Sequence, residues 1–193
     1  MIKRIFDIII STILLILSFP FFVLGFLIVL FNDGNPVFFR QQRVGLHGCL
    51  FYIYKFRSMK INSEKLGTTT YKNDNRIFYG GNFLRRYKID ELPQLINVLR
   101  GEMSLVGPRP TVLDDYQRMN IQEKKRDIVL PGITGLAQIS GNTNLKWPER
   151  IKKDLYYIKH ATILFDIKIL YITFFKLLGQ NFKSDNPLSN EWE

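Results

Sequence analysis

The sequence predicts an α+β protein, predominantly helical, in which an N-terminal re-entrant membrane helix-break-helix joins a compact cytosolic domain carrying interfacial amphipathic helices. Three observations lead there. An apolar run from Ile5 to Phe31 carries a single charge, Asp7. Short aromatic segments broken by Gly45 and Gly48 follow it. Beyond Asn82, apolar residues return at helical spacing. A chain of 193 residues holds one core-forming domain once the membrane element is subtracted.

The apolar run comes first. As a helix it is long enough for roughly 30 Å of hydrocarbon, and it lacks the short core and small-residue cleavage site of a signal peptide. Pro20, near its middle, deletes a backbone hydrogen bond and predicts a bend. Ser18, two residues earlier, offers a hydroxyl to a carbonyl that the proline frees. Lys3 and Arg4 precede the run and Arg40 and Arg43 follow it, so the positive-inside rule puts both ends in the cytosol. A hairpin that enters and leaves on one face satisfies both features; the alternative is a kinked helix that crosses once.

The turn formers NDGNP (Asn32 to Pro36) divide the chain into a hairpin, residues 1–36, and a soluble domain, residues 37–193. Val37 to Phe56 is expected to form short strands, and Asn62 to Arg76 a loop. A helix is expected to start near Asp90, with Asp as N-cap and Pro93 in the first turn. Thr111 to Lys125 is expected to be another helix, and PGITG (Pro131 to Gly135) a turn. Trp147 to Phe182 reads as one amphipathic helix in the interface, with Tyr156, Tyr157, Tyr171 and the lysines near headgroups, or else as an ordinary buried helix.

Charge narrows the partners. Lys and Arg number 27 against 17 Asp and Glu, a net charge of +10, which attracts nucleic acid, an anionic bilayer or phosphorylated substrates. No nucleic-acid module or clustered basic helix is present, so a membrane-anchored nucleic-acid binder ranks low. The single cysteine, Cys49, cannot form an intrachain disulfide, in keeping with a cytosol-facing domain.

The candidate chemistry centres on Asp90 and Glu91. Two adjacent carboxylates call for a compensating cation, and a hard ion such as Mg²⁺ would neutralise them while bridging phosphate oxygens. One carboxylate on the metal leaves the other to attack phosphorus. Arg85 and Arg86 lie upstream, GPRP (Gly107 to Pro110) holds Arg109 between two prolines, and YKFRSM (Tyr54 to Met59) places Lys55 and Arg57 on one face of an extended segment. Taken singly, each cation is more simply a surface charge, and an Asp-Glu pair is common on surfaces.

Long motifs in order change that balance. RRYKIDELPQLINVLRGEMSLVGPRP (Arg85 to Pro110) closely resembles the signature of bacterial sugar transferases, the monotopic polyprenyl-phosphate phosphoglycosyl transferases. YKFRSM, PGITGLAQISG (Pro131 to Gly141) and KDLYYI (Lys153 to Ile158) resemble the family's other motifs, so the likeness covers nearly the whole chain. The resemblance implies that Asp90 is the nucleophile, Glu91 the Mg²⁺-associated carboxylate, and Lys55, Arg85 and Arg109 basic residues of the active site. It also implies a covalent phosphosugar intermediate, a UDP-sugar donor, a polyprenyl (undecaprenyl) phosphate acceptor, UMP release, and a cytosol-facing domain at the bacterial inner membrane. The short length resembles the minimal members.

Two departures stand out. Many relatives have Ser-Pro at the hairpin break, where this chain has Phe19-Pro20 with the serine displaced to Ser18; and many have Gly-Arg where this chain has Gly141-Asn142. The lost cation at Asn142 removes one phosphate or sugar contact or marks a different sugar preference. The sequence selects neither the sugar nor the oligomeric state.

Overall fold

The computed structural model describes residues 1–63, 74–141 and 145–179. Their contacts form two compact units, one of Met1–Gln42 with Tyr52–Gly101, the other of Arg43–Phe51 with the chain from Glu102 onward. The architecture is α+β and predominantly helical, with two small two-stranded sheets.

In the N-terminal unit, helices α1 (Ile2–Leu17) and α2 (Phe19–Asp33) meet at Ser18 with a bend of 62°. Among the described residues no single helix is long and apolar enough to cross a membrane, but the bent pair together is. Pro20 lies in the first turn of α2, where its missing N–H would have had no intrahelical partner. The bend is held mainly by backbone: Ser18 N–H donates to Leu14 O at 2.8 Å and Phe22 N–H to Ser18 O at 2.9 Å, whereas the Ser18 hydroxyl reaches Leu15 O only at 3.5 Å.

Helix α1 reverses the usual amphipathic order. Asp7 and Ser11 are buried while Ile5, Ile9, Ile13 and Ile16 are exposed, so polar groups face protein and apolar ones face outward. Its protein-facing side packs on α4 (Gln94–Arg100), and Arg4 donates to the α4 carbonyls of Val98 at 2.5 Å and Leu99 at 2.9 Å. These carbonyls close the last turn of α4, where Gly101 N–H also donates to Val98 O at 3.0 Å, so Arg4 adds a side-chain cap. Helix α2 packs on α3 (Tyr79–Arg86), and Val29, Val37, Phe56, Phe78, Leu84 and Ile89 form the unit's core.

Strands β1 (Phe38–Val44) and β2 (Leu50–Phe56) pair as expected, joined through a 3-10 turn at Leu46–Gly48.

In the C-terminal unit the expected turn at PGITG is instead strand β4 (Gly132–Thr134), parallel to β3 (Ser104–Val106) with Ser104 opposite Gly132 and Val106 opposite Thr134. The glycines serve close approach: a Cβ on Gly132 would lie 2.1 Å from Gly107 N, and one on Gly135 2.2 Å from Gly107 O. The helix expected over Thr111 to Lys125 is broken into α5 (Leu113–Arg118), α6 (Ile121–Lys124) and a 3-10 turn at Lys125–Ile128. Asn120 causes the break, because its side chain accepts from the N–H groups of Gln122 and Glu123 in a capping box. Helix α7 (Leu136–Ser140) follows β4.

The single long helix expected after Trp147 is two helices, α8 (Trp147–His160) and α9 (Ile163–Leu177). Thr162 restarts the chain as an N-cap, its hydroxyl accepting from Phe165 N–H at 3.1 Å. Tyr157, expected near headgroups, is 2% exposed; its hydroxyl donates to Asp166 at 2.6 Å and lies 3.0 Å from Val106 O. Lys176 bonds to Ile139 O. Asp166 and Lys176 thus face protein while Lys168 is exposed, and Leu164, Ile167, Tyr171, Phe174 and Leu178 form an exposed apolar stripe at helical spacing.

Candidate active site

Asp90 and Glu91 do not cap a helix. Lys88 adopts a left-handed conformation (φ 58°), a 3-10 turn covers Ile89–Glu91, and α4 begins only at Gln94. Pro93 accounts for this: it has no N–H to offer Ile89 O, and Leu92 N–H takes that carbonyl at 3.2 Å instead. The tight turn keeps both carboxylates within the unit, Asp90 at 7% and Glu91 at 9% exposure.

The two differ in their partners. Glu91 Oε1 accepts from Lys55 Nζ at 2.8 Å. Asp90 Oδ1 is buried with no hydrogen-bond partner among the described residues. Burial first, and the Glu91 charge second, push the Asp90 carboxyl up to about 6, against the opposing pull of Lys55, Lys88 and Arg85. A buried carboxylate oxygen without a donor is costly unless something else arrives to use it.

Lys55 is aimed by a residue that sequence reasoning missed. Asn97 of α4, fully buried, donates from Nδ2 to Tyr52 O at 2.7 Å and accepts from Tyr54 N–H at 3.0 Å. This amide pairs with the strand as another strand would, fixing β2 beside the helix that follows the carboxylates. Apart from its place in the signature run, nothing in the sequence distinguishes Asn97.

Arg57, expected to bind phosphate alongside Lys55, is placed elsewhere. Strand β2 ends at Phe56, so the alternation that would keep residues 55 and 57 on one face stops between them. The Arg57 guanidinium is buried, ion-paired with Asp33 at 2.6 Å, and donates to Asp33 O at 2.8 Å and Gly34 O at 2.7 Å. It caps the C-terminus of α2. Arg85 lies in the last turn of α3 within the same unit as the carboxylates, and its charge is felt at Asp90.

Arg109 belongs to the C-terminal unit, where it lines a cavity of about 140 Å³. Its carbonyl accepts from Arg126 at 2.8 Å, and Arg126 is also ion-paired with Asp154 at 2.6 Å. Burial pushes the Asp154 carboxyl up to about 6 in spite of Arg126. Neither Arg126, inside a charged run, nor Asp154 carried a distinguishing signal beyond the KDLYYI motif. Asn142 lies outside the described residues.

Among the described residues no cluster of three or more His, Cys, Asp or Glu could hold a metal ion. The acidic pair nonetheless fits Mg²⁺, which is usually bound through one or two carboxylates and keeps water and substrate phosphates as its other ligands. Glu91 offers such a carboxylate, beside a buried Asp90 oxygen that has no hydrogen-bond partner among the described residues.

The family model described as "Bacterial sugar transferase" matches residues 1–180. The chain is 43% identical over 185 residues to the UDP-glucose:undecaprenyl-phosphate glucose-1-phosphate transferase of Escherichia coli, covering 91% of this chain and 40% of that protein. It is 41% identical over 187 residues to the undecaprenyl-phosphate galactose phosphotransferase of Salmonella typhimurium, covering 89% of this chain and 39% of that one. It is 39% identical over 176 residues to the uncharacterized sugar transferase EpsL of Bacillus subtilis, covering 91% of this chain and 87% of that protein. The chain therefore spans about two fifths of the first two relatives and most of the third, and it belongs to the bacterial sugar transferase family.

Proposed function

We propose that this chain transfers a sugar 1-phosphate from a UDP-sugar to polyprenyl (undecaprenyl) phosphate, releasing UMP, as the first membrane step of glycoconjugate assembly. The observation that carries the proposal is the buried Asp90 carboxylate, with an oxygen that no described residue engages, beside a Glu91 held by Lys55. Such an oxygen is available to a substrate phosphorus. The names of the E. coli and Salmonella relatives supply the substrate class.

In the first step an Asp90 oxygen attacks the β-phosphorus of the UDP-sugar. The bond from that phosphorus to the oxygen bridging it to UMP breaks, UMP leaves with the electron pair, and an aspartyl phosphosugar remains. In the second step an oxygen of polyprenyl phosphate attacks the same phosphorus, restoring the carboxylate and giving the polyprenyl diphosphosugar. The raised pKa of Asp90 serves this chemistry, since a more basic carboxylate is the better nucleophile once deprotonated. Lys55 holds Glu91 in place, and Arg85 offsets charge on the phosphates. Mg²⁺ held at Glu91 would supply further neutralisation of phosphate charge.

The bent pair α1–α2, entering and leaving the membrane on one face, anchors the chain, and the apolar stripe of α9 lies in the interface. This puts the catalytic residues at the cytosolic surface of the inner membrane, where a soluble donor and a lipid acceptor meet. The test is UMP release from a panel of UDP-sugars with undecaprenyl phosphate and Mg²⁺, wild type against Asp90→Asn. Wild-type release that the variant loses, with radiolabelled phosphosugar trapped on the wild-type protein, is the expected result. Release without a trapped adduct would favour direct attack by the lipid phosphate.

A further inference from the structure

Gln94 opens α4 four residues beyond Asp90 and is 2% exposed. Its Nε2 is buried with no hydrogen-bond partner among the described residues, and the same holds for Asp90 Oδ1. The amide is a donor without an acceptor, the carboxylate oxygen an acceptor without a donor, and the two do not bond to each other. Buried polar groups left so are rare and costly.

The backbone puts them on one face. From Ile89 to Arg100 the chain winds right-handed without interruption: Leu92 N–H donates to Ile89 O, Leu95 N–H to Leu92 O and Ile96 N–H to Pro93 O, with Leu92 and Pro93 at φ −54° and −61°. Positions three and four apart in such a run are neighbours, roughly 5–6 Å between Cβ atoms, so Asp90, Gln94 and Asn97 make one row. Asn97 gives the row its direction, because its amide meets Tyr52 O and Tyr54 N–H of β2. Lys55, the next residue of that strand, meets Glu91. Gln94 therefore sits between the clamp on β2 and the acidic pair, all within the N-terminal unit. Helix α1 also packs on α4, but its buried Ser11 hydroxyl is itself without a partner and does not take the Gln94 N–H.

A phosphoryl group supplies what both atoms lack: a phosphorus for the carboxylate oxygen and non-bridging oxygens that accept from an amide. As an Asp90 oxygen bonds to phosphorus and the bond to the UMP oxygen breaks, negative charge leaves the carboxylate and spreads over the oxygens about phosphorus and the departing UMP. A neutral, preset donor beside those oxygens stabilises that charge without pairing with the nucleophile beforehand. We propose that Gln94 is a further catalytic residue, its side-chain amide donating to a non-bridging oxygen of the phosphoryl group that Asp90 attacks and carries. The inference deepens the transferase reading and rests on it for the identity of the reacting group.

The test is steady-state and single-turnover kinetics on the full chain in lipid nanodiscs, comparing wild type with Gln94→Met, which keeps the length of the side chain and removes the amide, and with Ser11→Ala. In Gln94→Met, kcat for UMP release and the rate of labelled phosphosugar adduct formation should fall about a hundred- to a thousandfold, as for other lost donors to developing oxyanions, with little change in KM. Its urea midpoint should stay at or above the wild-type value, because a buried unpartnered N–H has been removed. Ser11→Ala should keep wild-type kcat. Wild-type rates in a folded Gln94→Met would overturn the proposal and leave the transferase reading standing. A slowdown that tracks lost stability, or one that Ser11→Ala shares equally, would also overturn it and make Gln94 a packing residue of α4. No UMP release by wild type from any UDP-sugar would instead remove the transferase reading and the proposal with it.

Discussion

Two buried aspartates, one in each unit, have carboxyls pushed to about the same place for different reasons. Asp90 and Asp154 are 7% and 3% exposed, and burial raises each to about 6. Asp154 meets a guanidinium at 2.6 Å and makes a satisfied pair that ties α8 to the turn before β4. Asp90 has a carboxylate beside it, cations that act only through space, and one oxygen with no hydrogen bond. The same displaced carboxyl therefore marks a strut in one place and an unengaged carboxylate in the other. Hydrogen-bond accounting separates them where the pKa does not.

The sharpest way to break this comparison is to remove each charge. Asp90→Asn should abolish UMP release, by at least about a thousandfold as expected for a lost nucleophile, while leaving thermal stability at pH 7 unchanged or higher, since a buried and poorly satisfied charge has gone. Asp154→Ala should instead destabilise the fold by about 3–5 kcal/mol, because it strands Arg126 in the interior. Urea melts of both variants beside a UMP assay give the two results. A destabilised Asp90→Asn would mean that the carboxylate has a structural partner.

The pH response tests the same contrast more finely. A folded-state carboxyl raised from 3.8 to about 6 holds its proton over a range where the unfolded chain has released it. Folding stability due to Asp90 therefore falls as pH rises from about 4 to about 6, by on the order of 1–3 kcal/mol. Asp90→Asn should remove that fall, so the stability gap between variant and wild type widens across this window and is flat above it. In catalysis the sign turns over: kcat/KM should rise as pH increases toward and past 6, as the nucleophile deprotonates. Lys55→Met removes a charge that lowers the Asp90 pKa, and should move that rise to higher pH.

Local patterns in the sequence expose the charge but not its bookkeeping. The hairpin break, the two strands of the first sheet and the acidic pair were legible because proline, alternating aromatics and a long signature run act within a few residues. What sequence reasoning missed depends on partners distant along the chain. Asn97 clamps β2 across more than forty residues of sequence, Arg57 is spent on the end of α2, and β4 exists because Gly107 lets its backbone approach. Of the three charges in the last helix, Asp166 and Lys176 face protein, Lys168 is exposed, and an apolar stripe is left outside. Charge on a helix does not say which way the helix faces.

The two arginines that close the bent helix pair give the smaller effects. Arg57→Lys retains the charge but loses the planar fork that meets Asp33 and two carbonyls at once. It should cost about 1–3 kcal/mol of stability with KM for the UDP-sugar unchanged; a raised KM with normal stability would return Arg57 to the phosphate site. Arg4→Ala should cost less, about 1–2 kcal/mol, by uncapping Val98 and Leu99 on α4. Its interest is where the loss falls. Helix α4 follows the Asp90 turn and carries Asn97, which holds the strand of Lys55. If the cap works as the geometry indicates, hydrogen exchange in Arg4→Ala should speed first at the amides of α4 and at Tyr54, whose N–H is donated to Asn97. The amides of β3 and β4 should keep wild-type protection. A uniform loss of protection across both units would instead mean that Arg4 supports the whole fold and has no particular tie to the turn that presents Asp90.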